Sequence, residues 1–244
     1  MGLTIHFTLT APVGTDSTAA KRLVLAVREV ALTAQGRGDF DEISELRWDE
    51  HARLRSLDWL ILPVPGFPNA STGIEIAPLE GHVFRIRVGA GSEPLWIGLC
   101  RYPTHVDVDG VETDVRRGGR WRLTGFCKTQ YASVHGWEHF RRCHVGVIAL
   151  LAELRSIGVR VRISDEGGYW PRRSERSLRE KIDQMNRITA AFAGAAKDAA
   201  DEGEHARGLH AEIFAHPQFE RLEAEGATER PDVADAARRV MRRK

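Results

Sequence analysis

The twenty residues GFCKTQYASVHGWEHFRRCH, Gly125 to His144, hold two of the chain's three cysteines and three of its ten histidines, with a lysine and a tyrosine among them. Thiols and imidazoles at this density serve either nucleophilic chemistry or metal coordination, or they fill a core. For the first, a nucleophile must lie within hydrogen-bond reach of a base, and a third group must orient that base. Trp137, Phe140, His144, Val147, Leu151 and Leu154 recur at three- and four-residue spacing, which predicts an amphipathic helix from Trp137 to Ile157 closed by Gly158. His144 therefore occupies a slot that the periodicity assigns to the core, where an imidazole needs partners.

One partner follows from counting. In VRVRISDEGGYW the inward positions are Val159, Val161 and Ile163, so Asp165 inherits the inward parity. From Val159 to Asp165 a strand advances roughly 20 Å. An antiparallel helix joined through a tight turn at Gly158 covers that length in about 13 residues, and counting back from Ile157 lands on His144. His144 and Asp165 are expected to face each other, the carboxylate orienting and polarising the imidazole. If LTGFCKTQY is extended, Leu123, Cys127, Thr129 and Tyr131 share one face and Phe126, Lys128 and Gln130 the other. Cys127, His144 and Asp165 are then the candidate nucleophile, base and orienter; the competing reading makes Cys127 a small core residue.

Metal is the rival use. His139 and Cys143 stand i,i+4 on the helix, His135 just precedes it, and Cys127, Asp165 and Glu166 are further zinc-type ligands. Against this, there is no HExxH and no CxxC pair. Asp165 and Glu166 point to opposite faces of a strand, which disfavours a two-carboxylate glycosidase, and Glu166 is expected to pair with Arg160 or Arg162. Tyr169 and Trp170, after two glycines, suit a core edge or a stacked ligand. Lys128, Gln130, Arg141 and Arg142 form a possible anion site, with Arg142 expected in solvent. No nucleotide cofactor is indicated: there is no Walker motif, and GAGSEP at 89–94 is not GxGxxG.

The elements that must position these groups read as follows. LTIHFTL alternates as a half-buried strand. TDSTAAKRLVLAVREVALTA is a helix N-capped by Asp16 or Ser17, burying Leu23, Val27, Val30 and Ala34, and GRG at 36–38 ends it. EISELRW and WLILPV are short strands before a proline-marked loop. The middle is a β meander with turns at Glu80-Gly81, Asp109-Gly110 and Gly118-Gly119. SERSLREKIDQMNRITAAFAGAAKDA is a second amphipathic helix, capped by Ser174, with Leu178, Ile182, Met185, Thr189 and Phe192 on one face. The sum is an α+β domain over residues 1–199: a mixed or antiparallel sheet with an N-terminal β-α unit and a C-terminal α-β-α unit packing helices on it. Residues 200–244 form a polar, partly helical extension ending in a short basic helix or a frayed tail.

With 244 residues, the chain can bury a core without staples. Three widely spaced cysteines fit a reducing cytoplasm, MGLTIHFTLTAP lacks signal-peptide character, and no apolar run reaches membrane length. Net charge is +1, which gives the whole molecule no electrostatic reason to seek nucleic acid. Locally the balance differs: residues 116–179 carry 14 Arg/Lys against 5 Asp/Glu. Such a run either decorates solvated faces or meets phosphates or an acidic partner.

The strings LTIHFTL, GFCKTQYAS, FRRCH and DEGGYW, with the REKIDQMNRITAAFAGAAKDA helix, are similar to those of a group of uncharacterised bacterial proteins. In some of these a longer connection stands between DEGGYW and the helix. The resemblance covers both ends of the domain and residues 125–198, and it implies a bacterial, intracellular protein with no assigned activity. Two function classes follow from the sequence. The favoured one is a non-catalytic binding or accessory protein whose arginine-rich face meets an acidic or phosphate-bearing partner. The alternative is a hydrolase or transferase using His144 and Asp165 with Cys127 or a bound metal. Solvent access separates them, because a catalytic Cys127 must open into a cleft.

Overall fold

The computed structural model describes residues 3–46, 62–64, 74–108, 110–115, 118–201 and 210–241. The alternation of the first strand, β1 (Thr4–Thr10), buries Ile5, Phe7 and Leu9 and leaves threonines and His6 on the other side. Helix α1 (Ser17–Gly36) starts where the Asp16 carboxylate accepts from the Ala19 N–H at 2.7 Å. Its buried stripe is Ala20, Val24, Val27, Ala31 and Ala34. Leu23 and Val30, expected inside, lie at its margin, because the small residues let α1 sit close on the sheet.

Seven short strands follow: β2 (Glu42–Ile43), β3 (Leu62–Val64), β4 (Ile74–Ile76), β5 (Glu80–Arg87), β6 (Leu95–Arg101), β7 (His105–Val108) and β8 (Val111–Asp114). The end of EISELRW, the first half of WLILPV, and Pro65 and Pro68 lie outside the described residues. Two expected turns are corrected. Glu80-Gly81 opens β5 in register with Arg101-Cys100, and an Arg101–Glu80 ion pair of 3.2 Å holds Glu80 in the strand. Gly118-Gly119 does turn the chain, but β8 and the next strand are not paired; β7 and β8 form a ribbon of their own, closed with Gly110 at φ 83°.

Strand β9 (Trp121–Lys128) is also shorter than expected, since a 3-10 helix over Gln130–His135 replaces its end. Helix α2 (Trp137–Glu153) follows, then β10 (Arg160–Asp165). The main sheet runs β10-β1-β9-β6-β5-β2 with every adjacent pair antiparallel. β9 and β10 flank β1 and are thus parallel to each other, so α2 is the crossover that carries the chain over β1. α1 and α2 share one core with the inward faces of these strands, which makes the fold α+β.

Helix α3 (Glu175–Asp201) buries Leu178 and Ile182 in that core, with the Ser174 hydroxyl accepting from the Ser177 N–H. Farther along, its alanine side is what packs. α4 (Phe219–Glu229) and α5 (Pro231–Met241) lie back along it, joining Ala190, Ala193, Ile213 and Leu222 in one cluster and Ala195, Ala196, Ala234 and Ala237 in another. Phe192, expected on the apolar face, is 36% exposed in consequence. No described helix is long and apolar enough to cross a membrane.

Candidate functional site

His144 stands in the buried stripe of α2, and both ring nitrogens are engaged. Nε2 lies 3.0 Å from Asp165 Oδ1 and Nδ1 lies 2.8 Å from the Thr129 hydroxyl. An ionised carboxylate only accepts, so Nε2 donates to Asp165, and the Thr129 hydroxyl partners Nδ1. Asp165 accepts two further hydrogen bonds, from the Gly167 N–H at 2.7 Å and the Trp170 N–H at 2.8 Å. Burial pushes its carboxyl pKa up, but the His144 hydrogen bond and charge and the two backbone donors outweigh that and hold it below the ordinary value. The chain passes so close that a Cβ on Gly167 would stand 2.8 Å from His144 Nε2 and from Leu178 Cδ1. The DEGGYW turn is thus wrapped around the Asp165 carboxylate and pressed on the imidazole.

Cys127 is not the third member. It points inward from β9, but its Sγ donates to the Glu93 carbonyl at 3.3 Å, and burial, with Glu93 and Cys143 nearby, pushes its thiol pKa up. Thr129, two residues on and on the same expected face, takes the place beside His144. The shared parity with Cys127 was its only signal in the sequence. Thr129, His144 and the Asp165 side chain have no solvent exposure. A hydroxyl–imidazole–carboxylate line sealed in this way has no path for a substrate. It joins the end of β9, the middle of α2 and the turn after β10.

The ligand set for a metal is likewise spent elsewhere. His139 Nε2 bonds the Ala90 carbonyl at 2.9 Å, with Cys143 Sγ 3.7 Å away, and burial raises the Cys143 thiol pKa. Among the described residues no three His, Cys, Asp or Glu side chains gather as a metal site. Burial lifts the third thiol, Cys100, to about 12. All three cysteines are free and buried. Alkylation of the native protein with iodoacetamide, read by intact mass, is therefore expected to add nothing, and to label three thiols after denaturation. Rapid native labelling of Cys127 would reopen the nucleophile reading.

The expected binding residues separate. Gln130 was expected outward. The strand has stopped by then, and Gln130 is buried, its Nε2 donating to Thr189 at 2.9 Å. Its Oε1 has no partner among the described residues. Lys128 stays on the outer face, its Nζ 4.8 Å from the centre of the Tyr131 ring, which belongs to the 3-10 helix. Arg141 bridges Glu138 and Glu175. Arg142, expected in solvent, instead donates to the Gly38 and Asp39 carbonyls and to Asp41, tying α2 to the end of α1. Glu166 does not pair with Arg160 or Arg162; it accepts from the Thr4 N–H at 2.9 Å and lies 3.5 Å from His6. Tyr169 is buried, and Trp170 lies between Arg155 and Arg173, whose guanidinium centres are 5.1 and 4.7 Å from its ring centre. Both cover the core edge.

The open face of the sheet gathers what remains. Its register is made of rungs across β10, β1 and β9: Arg160–Thr10–Arg122, Arg162–Thr8–Thr124, Ser164–His6–Phe126, with Thr4–Lys128 beyond. The chain matches no known family model, no curated protein and no solved structure. Two rungs bring three guanidinium groups and the hydroxyls of three threonines onto one surface. Neither Arg160 nor Arg162 is bonded to a carboxylate among the described residues. Phe126, in the next rung, is 50% exposed.

Proposed function

We propose that this is a non-catalytic binding or accessory protein, working in the cytoplasm, whose open sheet face meets a phosphate-bearing partner. One observation carries the reading. Within the cationic run at 116–179, Arg141 and Arg142 are consumed by internal partners, whereas Arg160 and Arg162 stand together on β10 with no carboxylate bonded to them among the described residues. Guanidinium groups beside hydroxyls suit phosphate oxygens, which accept several charge-assisted hydrogen bonds at once. The sealing of His144, Asp165 and Cys127 supports the same choice, since the enzyme reading needs those groups open.

The test is titration of the labelled protein with polyphosphate and with polyglutamate of matched length. Polyphosphate is expected to bind, less tightly as salt rises. R160E/R162E is expected to weaken it at least about tenfold, each charge-assisted hydrogen bond being worth on the order of 1.5 kcal/mol or more. Equal binding of polyglutamate would identify an acidic protein surface as the partner instead. Binding of neither, or binding indifferent to R160E/R162E, would end the reading.

A further inference from the structure

A cleft of about 450 Å³ opens between the start of α2, the middle of α3 and the segment leading into α4, away from the open sheet face. α3 would be expected to bury an apolar stripe here. Instead Arg179, Asp183 and Arg187, at i, i+4 and i+8, line the cleft, facing His216 and Arg221 on the other wall. Trp137 lines it together with the buried Phe140, Ile182 and Leu222, and Ser133 and Asn186, also in the lining, are buried and bonded to each other at 3.0 Å. A pocket of this size with an apolar body and a few convergent polar groups has the form of a small-molecule site.

The charges specify the ligand further. The lining holds three guanidinium groups and one carboxylate, Asp183. Glu229 and Glu225, which pair with Arg187 and Arg221, are outside the lining and engage them through Nε, at 3.0 and 3.5 Å. Arg221 spends one more donor on Gln218. Arg179 stacks on Trp137, 5.2 Å from its ring centre, and meets no carboxylate among the described residues. Most N–H donors of these three guanidinium groups are therefore not spent on partners among the described residues, where apolar side chains are also at hand. Asp183, between Arg179 and Arg187, opposes a ligand of high charge density. His216 adds no positive charge at neutral pH, since burial and Arg221 lower its pKa and Asp183 only partly restores it. We propose that this cleft binds a small organic monoanion, a carboxylate or sulfonate on an apolar or aromatic body, with Arg179 and Arg221 holding the anionic group and Trp137 and Leu222 the body. The proposal is independent of the sheet-face reading.

Anilinonaphthalene sulfonate, one anionic group on an aromatic body, is the probe. Wild-type protein is expected to bind it saturably at one site with enhanced fluorescence. Arg179→Gln and Arg221→Gln should each weaken binding about tenfold while circular dichroism and melting temperature hold. N-phenylnaphthylamine, which lacks the charge, should bind about tenfold more weakly than the sulfonate. Phe126→Ser, on the open sheet face, should leave the affinity unchanged. No saturable binding, equal binding of the uncharged probe, indifference to both arginine variants, or loss in the Phe126 variant would each overturn the proposal.

Discussion

Asp165→Ala is expected to destabilise the protein by about 3–5 kcal/mol, the range for removing one partner of a buried charged pair. The magnitude follows from what the carboxylate satisfies: the imidazole of His144 and the N–H groups of Gly167 and Trp170, with the Asp165 side chain wholly buried. Alanine leaves three buried donors unpartnered, and the turn that Asp165 organises rests directly on α2. Asparagine is expected to fall between wild type and alanine, because its carbonyl oxygen keeps part of the set. Chemical denaturation at neutral pH measures the loss. A cost below about 1 kcal/mol, typical of an exposed ion pair, would mean that the His144–Asp165 contact is not closed in solution.

The same group fixes a pH dependence. Its pKa is depressed in the folded state, so the unfolded chain binds the proton more readily. The stabilisation is fully present above the unfolded value near 4 and is lost as pH falls through the lower folded value. Unfolding free energies collected from pH 7 down to about 3 should therefore decline on the acid side, and Asp165→Asn should flatten that decline. An unchanged acid limb in the variant would assign acid sensitivity to other carboxylates.

Period and parity made part of this site legible in the sequence. A histidine in an apolar stripe and an aspartate of inward parity were enough to place His144 against Asp165. The count worked although α2 ends at Glu153, since turns over 154–158 carry the chain to β10. Parity states a face and not a neighbour, and there the reading of Cys127 failed. Inward on β9, it reaches the Glu93 carbonyl, whereas Thr129 reaches the imidazole because the chain leaves the strand between them. The same departure buried Gln130. Large apolar residues misled in α3 as well. The stretch AAFAGAA packs through its alanines, because α4 and α5 approach more closely than a phenylalanine allows, and nothing local to α3 records which helices will cover it. The cationic rungs of the sheet were out of reach for a related reason: Arg122 lies far in the chain from Arg160 and Arg162, and only the placement of β1 between β9 and β10 brings it near them.

That close helix packing makes Gly226→Ala the second large effect. In an isolated helix this substitution stabilises by about 1 kcal/mol. Here a Cβ on Gly226 would stand 2.1 Å from the Arg187 carbonyl oxygen, 2.7 Å from its carbon and 3.0 Å from Ala191 Cβ. The first two are backbone of α3 and cannot rotate away, so α4 must move outward, straining the Arg187–Glu229 pair and the Leu222 contact. Overpacking of this kind costs about 1–3 kcal/mol, so the variant should be less stable despite its better helix propensity. Gly194→Ala on α3 is the matched control. The three nearest atoms to its added methyl, Oε1, Cδ and Cγ, all belong to the Glu223 side chain and none to backbone, so it should cost less than Gly226→Ala. Thermal melts compare the two variants, and hydrogen exchange over residues 210–241 shows whether α4 and α5 loosen first. If Gly226→Ala melts at or above wild type, α4 does not cross α3 at this glycine, and the cleft that the crossing closes on one side loses its wall.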